Sequence, residues 1–155
     1  MPKYNVIAKD DKSQLYVCLT VSEPLPRLIF LRKPQLPKYQ KSKRNKIYGP
    51  FQSARALRDL LSQIRRVIPY CTQKERNGRP CFYTHIGLCD PCPSALKNAE
   101  DSVGTRTKIA QYKTHIRQLK DIFEGKTTRV LAAYTTLMNR AAGGERFEEA
   151  ALYKR

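Results

Sequence analysis

Tryptophan is absent from the 155 residues, histidine and methionine occur twice each, and only 13 acids stand against 30 lysines and arginines. No apolar run approaches the roughly 20 residues needed to cross a bilayer. Met1 is followed by polar and charged residues instead of the apolar core of a signal peptide. These absences argue against a membrane-spanning or exported chain, and the expected location is the cytoplasm. Hydrophobic residues make up 41%, but without Trp and with 10 prolines several small cores are expected in place of one large one. There is no phosphate-cradling glycine loop and no nucleophile–base pairing.

The shortage of acid leaves a net charge of +17, unevenly spread. Residues 1–70 carry 15 basic and 4 acidic side chains, a net of +11, which leaves +6 for residues 71–155. A polyanion is the natural partner for such a surface, because neutralising phosphates releases counterions. The densest basic run is RKPQLPKYQKSKRNK, residues 32–46, with seven cations and no acid. It is expected to be a loop or extended arm whose Arg32, Lys33, Lys38, Lys41, Lys43, Arg44 and Lys46 contact nucleic-acid phosphates. Arg55 and Arg58 on a following helix extend the same expectation.

Local patterning implies an α+β chain. YNVIA (4–8) and LYVCLT (15–20) are β-prone runs separated by Asp10, Asp11, Lys12 and Ser13, which predicts a hairpin. The two aspartates are turn residues on this reading, not a metal-nuclease pair. RLIFL (27–31) predicts a third strand, and IYGPF (47–51) reads as a turn flanked by aromatics. Ser53 is placed to cap a helix in which Leu57, Leu60, Leu61, Ile64, Val67 and Ile68 share a face, with Arg55, Arg58, Arg65 and Arg66 elsewhere and Pro69 stopping it. Residues 94–107 predict a short helix and a loop around Gly104. Ile109, Tyr112, Ile116, Leu119 and Phe123 mark a further helix closed by Gly125. Thr127 or Thr128 starts another, Gly143 and Gly144 break it, and a last helix begins near Phe147.

Four of the five cysteines fall between residues 71 and 92. Nine residues separate Cys71 from Cys81, seven separate Cys81 from Cys89, and two separate Cys89 from Cys92. Four thiolates so close in sequence can close a tetrahedral metal site or hold an iron–sulfur cluster; two disulfides or unlinked thiols are the alternatives. A reducing cytosol favours metal over disulfides. Cys18, alternating with Val17 and Leu19 inside a β-prone run, reads as a small buried hydrophobe outside the ligand set.

Taken in order, these segments resemble the middle of UvrC, the nuclease component of the bacterial excinuclease ABC system. PKYNVIAKDDKS (2–13) is similar to the segment that follows the family's GIY-YIG nuclease domain. PRLIFLR (26–32) with YGPF (48–51), the cysteine motif RPCFYTHIGLCDPC (79–92), and Met138 through Ala151, similar to the UVR motif, complete the match. The resemblance implies a [4Fe–4S] cluster on Cys71, Cys81, Cys89 and Cys92. The family usually has three residues between its last two cysteines, and the two found here are also compatible with zinc. His85, the substitute ligand to consider, lies where the family has a non-ligand residue.

The resemblance also implies DNA and the helicase-like protein UvrB as partners. The C-terminal helices would meet UvrB through Leu137, Met138, Phe147, Ala150 and Ala151, with Glu148 and Arg146 at the rim. The family's incising residues and its second nuclease lie outside the segment resembled, so the chain is expected not to cut DNA and to serve as a scaffold in nucleotide excision repair. A stand-alone metal-stapled nucleic-acid-binding protein and a non-functional gene fragment are the alternatives. The expected organisation is a β segment with its basic arm (1–46), a helix and cysteine module (47–107), and a helical region with a truncated UVR-like hairpin (108–155).

Overall fold

The structure, a computed structural model, describes residues 14–74, 76–97 and 103–144, together with 146, 148 and 151. The run at residues 4–8, expected to pair with 15–20, lies outside the described residues.

A three-stranded antiparallel sheet starts the described chain, in the order β2-β1-β3, with β1 Leu15–Leu19, β2 Leu28–Arg32 and β3 Lys46–Phe51. β1 lies in the centre, and four of its five residues are buried. Leu15 pairs with Arg32 and Leu19 with Leu28 on one side; Val17 pairs with Tyr48 and Leu19 with Lys46 on the other. The tight return between β1 and β2 is closed at Thr20, whose hydroxyl accepts from Arg27 N at 3.0 Å while its own N–H donates to Arg27 O.

β3 corrects the sequence expectation, because the supposed IYGPF turn is a strand. Its irregular register against Leu15 and Val17 accommodates Gly49 and Pro50, joined by a cis peptide bond. Gly49 has φ +121°, and a Cβ there would stand 3.1 Å from Leu15 O. Proline is tolerated because β3 is an edge strand, where its missing N–H need not serve the ladder.

The basic stretch before β3 is likewise not an extended arm. It forms a 3-10 turn at Lys33–Gln35 and then α1, Leu36–Gln40. Pro34 and Pro37 each lie at the start of their turn, where a fixed φ begins helical structure instead of breaking it. Gln35 accepts from Arg32 N at 2.9 Å. Asn45 then pins the far end: its amide donates to Tyr39 O, and its oxygen accepts from the backbone and hydroxyl of Ser22 at 3.1 and 2.7 Å.

α2, Ala54–Val67, begins where Ser53 accepts from Ala56 N at 3.2 Å, as the sequence predicts. Leu57 and Leu61 are buried, but Leu60 is 51% exposed, so the apolar face is narrower than expected. Two short helices follow, α3 at Phe82–His85 and α4 at Pro93–Lys97. α5 runs Val103–Phe123 and α6 runs Thr127–Gly143; Gly104 lies within α5, not in a loop. Gly125, at φ +75°, closes α5. α6 packs back through Val130 and Tyr134, whose hydroxyl donates to Val67 O at 3.1 Å.

Among the described residues, most of the buried apolar side chains form one contiguous cluster, where several small cores were expected. It joins Leu15, Val17 and Leu19 of β1, Leu57 and Leu61 of α2, Tyr112, Ile116 and Leu119 of α5, and the four clustered cysteines.

Candidate metal centre

Each cysteine is delivered by a different local device. Cys71 follows the end of α2 and is fixed through its backbone: its carbonyl accepts from Leu28 N at 2.9 Å, and its N–H donates to the Tyr112 hydroxyl at 3.4 Å. Tyr112 is fully buried and donates in turn to Pro26 O, so one ring ties α5, the β1–β2 return and the first cysteine together. Cys81 is the N-cap of α3, and a turn with Gly87 at φ +69° brings the chain back to Cys89. The cis Asp90–Pro91 bond leads to Cys92, immediately before α4. The Cys92 carbonyl accepts from Ala95 N and Leu96 N, both at 3.1 Å. Ser94 is buried and accepts from Arg76 N at 2.9 Å, which fastens the loop after Cys71 to α4.

These devices bring together the four cysteines singled out from spacing. All four are buried, and their sulfurs lie within 4.8 Å of one another. All five cysteines are free thiols in the structure. Cys18 sits within β1, fully buried and outside the group, and burial pushes its thiol up to about 11. His85 is exposed and outside the group as well.

The electrostatics of the quartet are divided. A hydrogen bond from Cys89 brings the Cys71 thiol down to about 6, against the pull of burial and with help from the Arg65 charge. That same bond and burial push Cys89 up, and burial raises Cys81. At Cys92 burial is outweighed by hydrogen bonds from the Thr84 hydroxyl and from the backbone of Cys81, Ala95 and Ser94, and the thiol is lowered. The thiols are thus lowered at Cys71 and Cys92 and raised at Cys81 and Cys89. Every thiol that serves as a metal ligand must give up its proton to bind.

Which group fits can be tested on the sulfur spacing. Around one tetrahedral ion with bonds of about 2.3 Å the sulfurs stand about 3.8 Å apart. In a [4Fe–4S] cube each thiolate caps its own iron, so the four spread by a further iron–iron separation, to about 6 Å. The quartet, with its sulfurs within 4.8 Å of one another, offers four ligand atoms to a metal.

Arg65 is the functional neighbour that sequence reasoning missed. Placed off the apolar face of α2 by the sequence pattern, together with Arg55, Arg58 and Arg66, it is only 7% exposed. Its guanidinium lies between the rings of Tyr70 and Tyr83, 4.3 and 3.9 Å from their centroids, and donates to Thr72 at 3.4 Å, while Nε has no partner. Tyr70 and Thr72 flank Cys71 in the chain, so a buried positive charge stands against the ligand loop.

The other expected site residues are more dispersed. Lys33, Lys38, Lys41, Lys43 and Arg44 are exposed along the α1 segment, Arg32 is half-buried at the end of β2, and Lys46 is exposed at the start of β3. Arg55 and Arg58 are both exposed on α2. Leu137 is 37% exposed and Met138 half-buried on α6. Glu148 and Ala151 have helical backbone, and Phe147 and Ala150 lie outside the described residues. No helix among the described residues is long and apolar enough to cross a membrane.

Residues 14–121 match the UvrC/Cho excinuclease middle domain. Among curated proteins, the UvrABC system protein C of Caldanaerobacter subterraneus is 34% identical over 97% of this chain and 23% of its own length. That of Synechocystis is 33% identical over 99% of the chain and 22% of its length. That of Thermoanaerobacter pseudethanolicus is 35% identical over 97% of the chain and 23% of its length. The chain therefore spans under a quarter of the length of these relatives. No solved structure matches it.

Proposed function

The chain belongs to the UvrC/Cho excinuclease family through its middle domain, and on that premise we propose that it works in nucleotide excision repair as a metal-stapled scaffold. In this reading the four cysteines hold the ligand loops against the sheet and α5, the basic surface meets DNA, and the C-terminal helices meet UvrB. The observation that carries it is the coincidence of the family match with a buried quartet of thiols inside the matched residues. The net charge of +17 supports a nucleic-acid partner. The setting in this reading is the cytoplasm.

For the metal, the sulfur spacing supports one tetrahedral ion, with zinc the fitting choice for four thiolates. A [4Fe–4S] cluster is the second reading, favoured by the likeness of RPCFYTHIGLCDPC to the family's cysteine motif. In either case the metal is structural, since all four ligands come from the protein and no coordination position is left open.

The UvrB contact is tested by pull-down with purified UvrB. Leu137→Ala and Phe147→Ala should each reduce capture of the chain, because an apolar anchor at a helical interface contributes on the order of 1–2 kcal/mol. Capture that neither substitution changes would remove the C-terminal helices from this account.

A further inference from the structure

A groove runs between α5 and the β1–β2 return, with a volume of about 530 Å³. Its floor is apolar, made by Pro26, Val21 and the buried Ile116. Its rim is basic: Lys113, Arg117 and Lys120 follow one another at helical spacing along α5, and Arg44 faces them from the turn before β3. The single acid there, Glu23, is already committed to Arg27 at 2.9 Å and to the Thr20 hydroxyl. Lys120 reaches Glu124 only at 3.7 Å, and Arg44, Lys113 and Arg117 have no ion-pair partner among the described residues.

Both walls are fixed. Tyr112 and Leu119 are fully buried and anchor α5 to the core. Asn45, next to Arg44, is bonded to Ser22, itself part of the groove. The backbone that carries these cations is therefore held in place. The distance from Lys113 to Lys120 is about 10 Å along the helix, the axial rise of about three nucleotides of one strand.

We propose that this groove takes the phosphodiester backbone of a DNA strand, with Arg44, Lys113, Arg117 and Lys120 on the phosphates and the apolar floor under the sugars. The inference rests on the DNA-contact reading above and gives it a location that the basic run alone does not. An acidic polypeptide would satisfy the cations, but it offers no regular alternation of anion and apolar ring to match the floor. Phosphate contacts of this kind position a strand without reading its sequence.

The test is fluorescence anisotropy of a labelled DNA duplex across a salt series, on the full chain. Wild type should bind with steep salt dependence. The triple variant Arg44→Gln/Lys113→Gln/Arg117→Gln should bind at least about tenfold more weakly. Its slope of log affinity against log salt should fall by about 3, at close to 0.9 for each phosphate no longer neutralised. A comparison triple, Lys38→Gln/Lys41→Gln/Lys43→Gln, should change the slope less. All six positions are solvent-exposed, so circular dichroism should show both triples folded. If wild type binds and the groove triple matches it, the groove is overturned while the DNA reading stands. If wild type shows no salt-dependent binding, the DNA reading falls. Polyglutamate that displaces the duplex as well as unlabelled DNA does would assign the groove to an acidic partner and overturn the proposal.

Discussion

Arg65 shows how a single residue can be misjudged on polarity and recovered on spacing. It stands four positions after Leu61 and three before Ile68, the spacing of the buried face of α2, where a charge is expected only if it is compensated. The compensation comes from two tyrosine rings and from the Thr72 hydroxyl. Neither ring could be assigned to it from sequence, because Tyr70 and Tyr83 belong to different segments. Arg65→Met keeps the bulk between the rings but removes the charge. It should weaken metal binding by about tenfold in a chelator competition, as loss of a group supporting a metal's ligands does, while Arg65→Lys should stay nearer wild type. Equal affinities for all three would leave Arg65 a packing residue. The cysteines present the opposite case. Their spacing alone selected the four that converge, and alternation within a strand marked Cys18 as core. Cys18→Ala should retain the full metal content by elemental analysis, whereas Cys71→Ser should lose most of it. Metal loss from Cys18→Ala would place a fifth thiol in the centre.

Among the elements, α2 and the α5–α6 hairpin were legible because long amphipathic repeats, a serine cap and a closing glycine act locally. β3 was not. Its Gly49-Pro50 pair has the chemistry of a turn, and only pairing with β1, some thirty residues away in the chain, makes it a strand. The basic segment hid its helical turns for a related reason: proline marks both extended chain and the first position of a helix, and its neighbours decide which. Gly49→Ala tests the strand. With φ at +121° and Leu15 O 3.1 Å from the new Cβ, the substitution should cost about 1–3 kcal/mol in chemical denaturation. A neutral result would mean that β3 does not adopt this path.

At the scale of the molecule, the cysteine quartet is continuous with the apolar core instead of forming a separate module. Cys71 is bonded to both β2 and Tyr112 of α5, so the ligand loops are bound into the fold at the point where sheet and helices meet. Composition and spacing pointed to a polyanion partner and to a metal. They could not point to the single core, because the contacts that fuse the segments are hydrogen bonds and burial between residues far apart in sequence, such as Tyr112 with Pro26.

In the proposed reading a metal on Cys71, Cys81, Cys89 and Cys92 holds this domain together. It is tested most directly by native mass spectrometry with elemental analysis on chain purified without oxygen. One zinc per chain, four thiols shielded from alkylation and a fall in thermal stability after chelation are the predicted result. A brown sample with four irons per chain would keep the staple and exchange the ion for a cluster. A folded, metal-free chain whose four thiols react freely would contradict the account.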